Sequence, residues 1–230
     1  EICHILNARQ VFIQNWGNGA MYKTETEIFS QYESLRKTYD YIMENKEKIK
    51  KFVDTSKYSS LTFAGCGSSY SLSKSAGLSA KMRTGKPVNV FAAGDLMINF
   101  EFYKDIIKDA LLVVPSRSGN TSEVILAVKL AKEKFHVPCV SICANQGANI
   151  SGLADLNLEI PWAFDESVCQ TRTVTNLYLA NLMFIGIISN DDRLIEELGT
   201  AIEQGNKHIE KYDATLRAIS NMDSWDKVVV

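Results

Sequence analysis

Leu111-Leu112-Val113-Val114-Pro115-Ser116-Arg117-Ser118-Gly119-Asn120-Thr121-Ser122-Glu123-Val124 reads as a strand, a polar turn and the start of a helix. The run 111–114 is short, apolar and rich in β-branched residues, as buried strands are. It breaks at Pro115, and an apolar pattern resumes at helical spacing with Val124, Ala127, Val128 and Ala131. A strand that turns into a helix points unpaired backbone N–H groups at whatever lies above the turn. Ser116, Ser118 and Thr121 add hydroxyls there, and Gly119 lets the backbone come close. An anion such as phosphate suits this turn. The same residues also read as a helix capped by Ser118 or Asn120 with no ligand.

Working outward, the flanking chain alternates between strands and helices. Residues 60–65, 88–92, 110–115, 137–143 and 157–161 read as five strands. Helical patterns separate them over 70–83, 94–100 and the stretch beginning at Val124. An apolar helix follows, ending at Ile188, and an amphipathic one carries Leu194 through Ile219. Ahead of the first strand, Ile28, Tyr32, Leu35, Tyr39 and Ile42 recur at helical spacing, and the pattern continues to about Phe52. Thr24 and Glu27 read as a capping box for that helix. Repeated strand–helix units predict an α/β fold, a three-layer αβα sandwich around a five-stranded parallel sheet, doubly wound in the flavodoxin-like manner. Ligands of such sheets sit at the carboxyl ends of the strands, near a switch point in strand order.

Composition narrows the classes of function. The 230 residues are 46% apolar and 23% charged, with a net charge of −2 and no basic tract, which argues against nucleic acid as a partner. The five cysteines form no framework and the three histidines are scattered, so no metal site is expected and reduced thiols in a cytoplasmic protein are. The most apolar stretch, 177–188, contains Asn181 and reads as a core helix, so no membrane span is expected. Residues 1–20 lack the order of a signal peptide and end in Trp16-Gly17-Asn18-Gly19-Ala20 before Met21, which reads as a leader outside the fold. At the other end, 221–230 runs from a polar turn into Val228-Val229-Val230, like the approach to the first strand, and reads as the opening of a second, truncated copy of the unit.

Three hydroxyl-rich segments follow strands: Gly65-Cys66-Gly67-Ser68-Ser69, Ser116-Arg117-Ser118-Gly119-Asn120-Thr121 and Glu166-Ser167-Val168-Cys169-Gln170-Thr171. On a parallel sheet they converge on one edge. Many neutral donors with no cluster of Lys or Arg suit the phosphate of a small molecule. Gly65-x-Gly67 lacks the third glycine of a dinucleotide fingerprint, since Tyr70 stands there, and no Gly-Lys-Ser/Thr is present. No cofactor is expected.

These segments resemble the sugar isomerase (SIS) domain family, and most closely its double-SIS members. That group includes the isomerase half of glucosamine-6-phosphate synthase, tagatose-6-phosphate ketose/aldose isomerase-like proteins and sugar-amine deglycases. Cys66-Gly67-Ser68-Ser69 is similar to the family's Cys-Gly-Thr/Ser-Ser. Ser116-Arg117-Ser118-Gly119-Asn120-Thr121 is similar to its Ser-x-Ser-Gly-Glu/Asn-Thr signature, 166–171 resembles its third segment, and Glu27-Ile28-x-x-Gln31 resembles its start. The resemblance runs from Met21 to the end and marks 21–220 as one SIS domain. It implies that Ser116, Ser118 and Thr121 hold a sugar phosphate, that Ser68 and Ser69 contact sugar hydroxyls or the phosphate, and that Val168 and Gln170 line the sugar. Gln170 stands where the synthase type has Ser, and Arg117 where it often has Gln, which favours the isomerase/deglycase branch.

In that family the base and the ring-opening histidine resemble residues of a second domain. His4, His136 and His208 match no family position. Glu166 is the carboxylate inside a motif and the candidate catalytic residue here; a helix-capping Glu is the alternative reading. Arg172 could approach a phosphate or serve the surface, and Cys66 and Cys169 read as packing residues. The expectation is a phosphosugar-binding domain of an aldose/ketose phosphate isomerase or deglycase, working as a homodimer. A phosphosugar sensor without turnover is the alternative.

Overall fold

The computed structural model describes residues 22–222, so the expected leader and the expected opening of a second copy from Asp223 onward lie outside the described residues. In chain order the elements are α1 (Lys23–Phe29), α2 (Gln31–Glu44), α3 (Lys46–Thr55), β1 (Ser60–Gly65), α4 (Ser68–Thr84) and β2 (Val88–Ala92). Then come α5 (Ala93–Ile98), α6 (Phe100–Ile107), β3 (Ala110–Ser116), α7 (Ser122–Phe135) and β4 (Cys139–Cys143). A 3-10 turn (Asn149–Gly152), β5 (Leu156–Glu159), a second 3-10 turn (Pro161–Ala163), α8 (Arg172–Ser189) and α9 (Asp192–Ser220) complete the chain.

The five strands form one parallel sheet in the order β2-β1-β3-β4-β5. This is the flavodoxin-like order, and its switch point falls between β1 and β3. Both faces of the sheet are covered. Along β3, Leu111 and Val113 face the layer built by α2, α3, α4, α8 and α9, while Leu112 and Val114 face α5, α6 and α7. All four are fully buried, which is why the strand reads as a continuous apolar run instead of an alternation. The three-layer αβα sandwich expected from the sequence is therefore the observed fold.

Four local expectations are corrected. The helical run before β1 is three helices, broken at Ser30 and Asn45, whose polar side chains turn back on the chain. Ser30 Oγ donates to Glu27 O, and Asn45 Nδ2 donates to Tyr41 O at 2.8 Å. Backbone bonds continue across both breaks (Ser34 N to Ser30 O, 3.2 Å; Ile49 N to Asn45 O, 2.9 Å), so the run bends around the body without stopping. Thr24 and Glu27 form no capping box: Tyr22 is the N-cap and makes no side-chain cap bond. A helix absent from the sequence reading, α6, follows α5 after Asn99, and it buries Phe100 and Ile107 two turns apart. Finally, β4 starts at Cys139 and not at 137, because Pro138 has no N–H for the ladder, although its carbonyl accepts from Leu112 N at 2.9 Å. The apolar helix α8 is covered by α2, α3, α4 and α9 of its own chain. No helix among the described residues is long and apolar enough to cross a membrane.

Candidate functional site

β1 and β3 are neighbours, with Phe63 opposite Val113, so the turns that follow them sit side by side at the switch point. The turn after β3 is fixed from below. Gly119 has φ +62°, and a Cβ there would lie 2.5 Å from Ala148 Cβ and 2.6 Å from Cys143 Sγ. Its carbonyl accepts from Ile150 N at 3.0 Å, Asn145 Nδ2 donates to Ser118 O at 3.0 Å, and Asn149 N donates to Asn120 Oδ1 at 2.9 Å. The loop after β4 thus forms a floor on which the turn rests.

The two serines of that turn are oriented by backbone donors. Gly119 N donates to Ser116 Oγ at 3.0 Å, and Asn120 N donates to Ser118 Oγ at 3.2 Å. A hydroxyl that accepts from an N–H keeps its own proton for another partner, so each becomes a preset donor. Neither Ser118 nor Asn120 caps α7; Thr121 is its N-cap and makes no side-chain cap bond. The first α7 bond runs from Ile125 N to Thr121 O, which leaves the earlier N–H groups of the helix unpaired within it. The turn therefore offers hydroxyls and helix N–H groups together, the arrangement that binds anions.

The turn after β1 is built as closely. Gly65 admits no side chain, since a Cβ would sit 2.8 Å from the carbonyl carbon of Ser69. Gly67 (φ +55°) then starts α4 at Ser68, with Ser68 exposed and Ser69 buried. Ser71 N donates to Gly67 O at 3.2 Å and Ser73 Oγ to Ser69 O at 2.8 Å. Glu123, in the first turn of α7, packs against Gly94 and acts on Cys66: burial pushes that thiol up, and the Glu123 carboxylate pushes it further. Glu123 is thus a second carboxylate at this edge, missed by the sequence reading although an acidic residue in the first turn of an anion-binding helix was the signal for it.

The third segment lies against the same edge. Arg117 Nη1 donates to Ser167 O at 2.9 Å, and its guanidinium stands 5.9 Å from the centre of the Phe164 ring. Glu27, on α1, accepts from Glu166 N at 2.8 Å, from Ser167 N at 3.1 Å and from the Ser167 hydroxyl. Asp165 holds the entry to α8 through Thr171 N (2.7 Å) and Thr173 N (2.9 Å), with Arg172 Nε 3.4 Å from its other oxygen. Arg172 also bonds Ser30 Oγ and Phe164 O, so it ties this segment to α1.

Of the residues expected at the site, Ser116, Ser118 and Thr121 share one turn, and Ser68 and Ser69 open α4 after the neighbouring strand β1. Val168 is 92% exposed, and the buried Gln170 Oε1 and Thr171 Oγ1 have no partner among the described residues. Glu166 is exposed and paired with Lys23. Cys66 and Cys169 make no disulfide, and no cluster of three metal-ligating side chains occurs among the described residues.

The model of the SIS domain family matches residues 56–186, more than half of the chain. This chain is a member of the SIS domain family. Among curated proteins it is similar to a glutamine–fructose-6-phosphate aminotransferase (isomerizing) of Wigglesworthia glossinidia brevipalpis, 27% identical over 185 residues that cover 76% of this chain and 29% of that protein. The chain thus spans about three-tenths of that relative's length. The C-terminal domain of the Francisella tularensis glucosamine-fructose-6-phosphate aminotransferase superposes with TM-score 0.76 at 20% identity, covering 88% of this chain and 59% of that one. Tagatose-6-phosphate ketose/aldose isomerase from Escherichia coli gives TM-score 0.71 at 17% identity, covering 83% and 54%. At these identities the two structures establish the shared fold. The SIS helices and strands of this chain, from β1 through most of α8, are the part that the family model covers.

Proposed function

We propose that this SIS domain binds a sugar phosphate as part of an aldose/ketose phosphate isomerase or a sugar-amine deglycase. The observation that carries the reading is the turn after β3, where Ser116 and Ser118 accept from backbone N–H groups and so keep their protons for a ligand. Ser116, Ser118, Thr121 and the α7 N–H groups would hold the phosphate, Ser68 and Ser69 would reach phosphate or sugar hydroxyls, and Val168 and Gln170 would line the sugar. The relatives above are named for fructose 6-phosphate and tagatose 6-phosphate. Aldose–ketose interconversion moves a proton between adjacent carbons through an enediol and needs neither metal nor redox cofactor. Glu166 is the candidate base, and release from Lys23 would free its carboxylate to act. In this reading 21–220 forms the domain and 221–230 opens a second SIS copy.

The test is calorimetry with fructose 6-phosphate and glucosamine 6-phosphate. The double variant Ser116→Ala/Thr121→Ala should lose about 1–3 kcal/mol of binding, the worth of one to two neutral hydrogen bonds. Unchanged affinity would remove both residues from the site. Proton exchange with D₂O then tests Glu166: binding without exchange is expected if the base belongs to a second SIS copy, and exchange that Glu166→Gln abolishes makes Glu166 the base.

We further propose a cytoplasmic homodimer. Ile98, Phe102 and Ile106 recur every four residues along α5 and α6 and are 75%, 86% and 41% exposed, an apolar row with no cover in the described chain. Sedimentation should show a dimer at about 10–50 µM that Phe102→Lys dissociates; a wild-type monomer there would refute it.

A further inference from the structure

Ser167 is gripped on every polar side. Its N–H and its hydroxyl go to Glu27 and its carbonyl accepts from Arg117, while the preceding Glu166 N–H also goes to Glu27. Its neighbour Val168 is 92% exposed, so packing does not fix that side chain's position. Two clamps set the start of the segment 166–170, alongside the Ser167 hydroxyl on Cys169 O at 3.0 Å and the Asp165 carboxylate on Thr171 N just beyond it. One clamp, Arg117, belongs to the anion turn itself. The other, Glu27, comes from α1, outside the stretch that the family model covers.

Glu27 is 4% exposed, an expensive place for a carboxylate unless its oxygens are used. Burial alone would push its carboxyl up. The Ser167 hydroxyl, the Ser167 and Glu166 N–H groups and the Arg172 charge outweigh that and hold it below its ordinary value. Three donors from two consecutive residues converge on one side chain 139 and 140 positions earlier in the chain. A carboxylate needed only to end a helix would bond its own N–H groups; this one reaches across to the segment that carries Val168 and Gln170.

We infer that Glu27 is a positioning residue for sugar recognition: it sets the backbone of 166–170 so that Val168 and Gln170 face a sugar whose phosphate is held by the turn 116–121. This rests on the phosphosugar reading above. It makes a prediction that general stability does not. The phosphate end of the site is built on β3, α7 and the loop after β4, none of which Glu27 touches through a hydrogen bond. Loss of Glu27 should therefore cost the sugar's share of the affinity and spare the phosphate's.

The experiment titrates the full chain with inorganic phosphate and with fructose 6-phosphate, following the Gly119 and Thr121 amide signals by NMR. Glu27→Leu should lower fructose 6-phosphate affinity about tenfold, toward that of phosphate alone, with phosphate affinity unchanged. Glu27→Gln keeps one oxygen for the two N–H groups and should lose only about threefold. Should Glu27→Leu fail to fold, Ser167→Ala removes the hydroxyl alone and should show the same selective loss at smaller size. Equal losses for both ligands, or none for either, would overturn the assignment. A wild-type chain that binds phosphate but gains nothing from the sugar would instead refute the phosphosugar reading, and Glu27's role with it.

Discussion

Gly119→Ala tests whether the anion turn is as tightly determined as its contacts indicate. Two costs fall on the new methyl group. An L-residue at φ +62° costs about 1–2 kcal/mol relative to glycine. The Cβ would also meet Ala148 Cβ at 2.5 Å and Cys143 Sγ at 2.6 Å, and both atoms are buried in the floor of the site. Overpacking of that kind costs about 1–3 kcal/mol. The sum, about 2–5 kcal/mol, should lower Tm by roughly 4–20 °C in a domain of this size. If the turn shifts to relieve the clash, it gives up the Gly119 N–Ser116 Oγ and Ile150 N–Gly119 O bonds, and Ser116 loses its preset orientation. Calorimetric unfolding and phosphosugar titration should then both register the change. Gly147→Ala is the control: it has φ +66° but nothing within 4 Å of its would-be Cβ, so only the backbone cost of about 1–2 kcal/mol applies. Gly119→Ala with the Tm and affinity of the Gly147→Ala variant would refute the close-packed turn.

The thiols should separate by reactivity in the native chain. Burial pushes Cys139 up to about 12 and Cys143 up to about 11, so both should resist a thiol reagent until unfolding, whereas the exposed Cys169 should react readily and be slowed by bound phosphosugar. Acid should also weaken the clamp on 166–170. A carboxyl held low in the folded state stabilises above its ordinary value and loses that contribution as pH falls through its folded value, so the stability gap between wild type and Glu27→Gln should hold at neutral pH and shrink as the pH drops below the ordinary carboxyl value of 4.5 in denaturant titrations.

Much of this fold is legible because its signals are local. β1 and β2 fall where the sequence places them, since each is a β-branched or apolar run bounded by polar or glycine-rich turns. The strand–turn–helix at 111–124 announces itself for the same reason. The anchors of the site are not legible, because they join residues far apart. Nothing local in Glu27 points to Ser167, and its spacing from Thr24 suggests a capping box that does not form. Nothing in Asn145 or Asn149 points to the turn after β3. The breaks at Ser30 and Asn45 fail for a related reason: the apolar face persists through both, and hydropathy records the face but not the bend.

The chemistry of the three segments divides the work of binding from the work of proton transfer. Apart from Arg117, whose guanidinium is turned to Ser167 O and the Phe164 ring, the turn after β3 offers neutral donors, and two of them are oriented by backbone N–H groups. Such donors bind a phosphate equally well before and during a reaction, so they contribute affinity and not rate. Rate in an aldose–ketose interconversion needs a base at the carbon that loses its proton. The carboxylates at this edge are all engaged elsewhere: Glu27 and Asp165 accept from the backbone of the third segment, Glu123 lies by Gly94 and Cys66, and Glu166 is paired with Lys23 at the surface. For the proposed chemistry Glu166 nonetheless has the better placement, because it opens the segment that Glu27 and Arg117 hold beside the turn after β3. Its pairing with Lys23 is an exposed one, worth little in water, so a substrate hydroxyl or carbon acid brought to that edge could compete for it. Glu166→Gln and Lys23→Met together separate the alternatives. If Glu166 is the base, Glu166→Gln abolishes proton exchange while Lys23→Met, which removes only its surface partner, leaves exchange intact or faster; if Glu166 only anchors α1 to the segment, both variants leave exchange as it was.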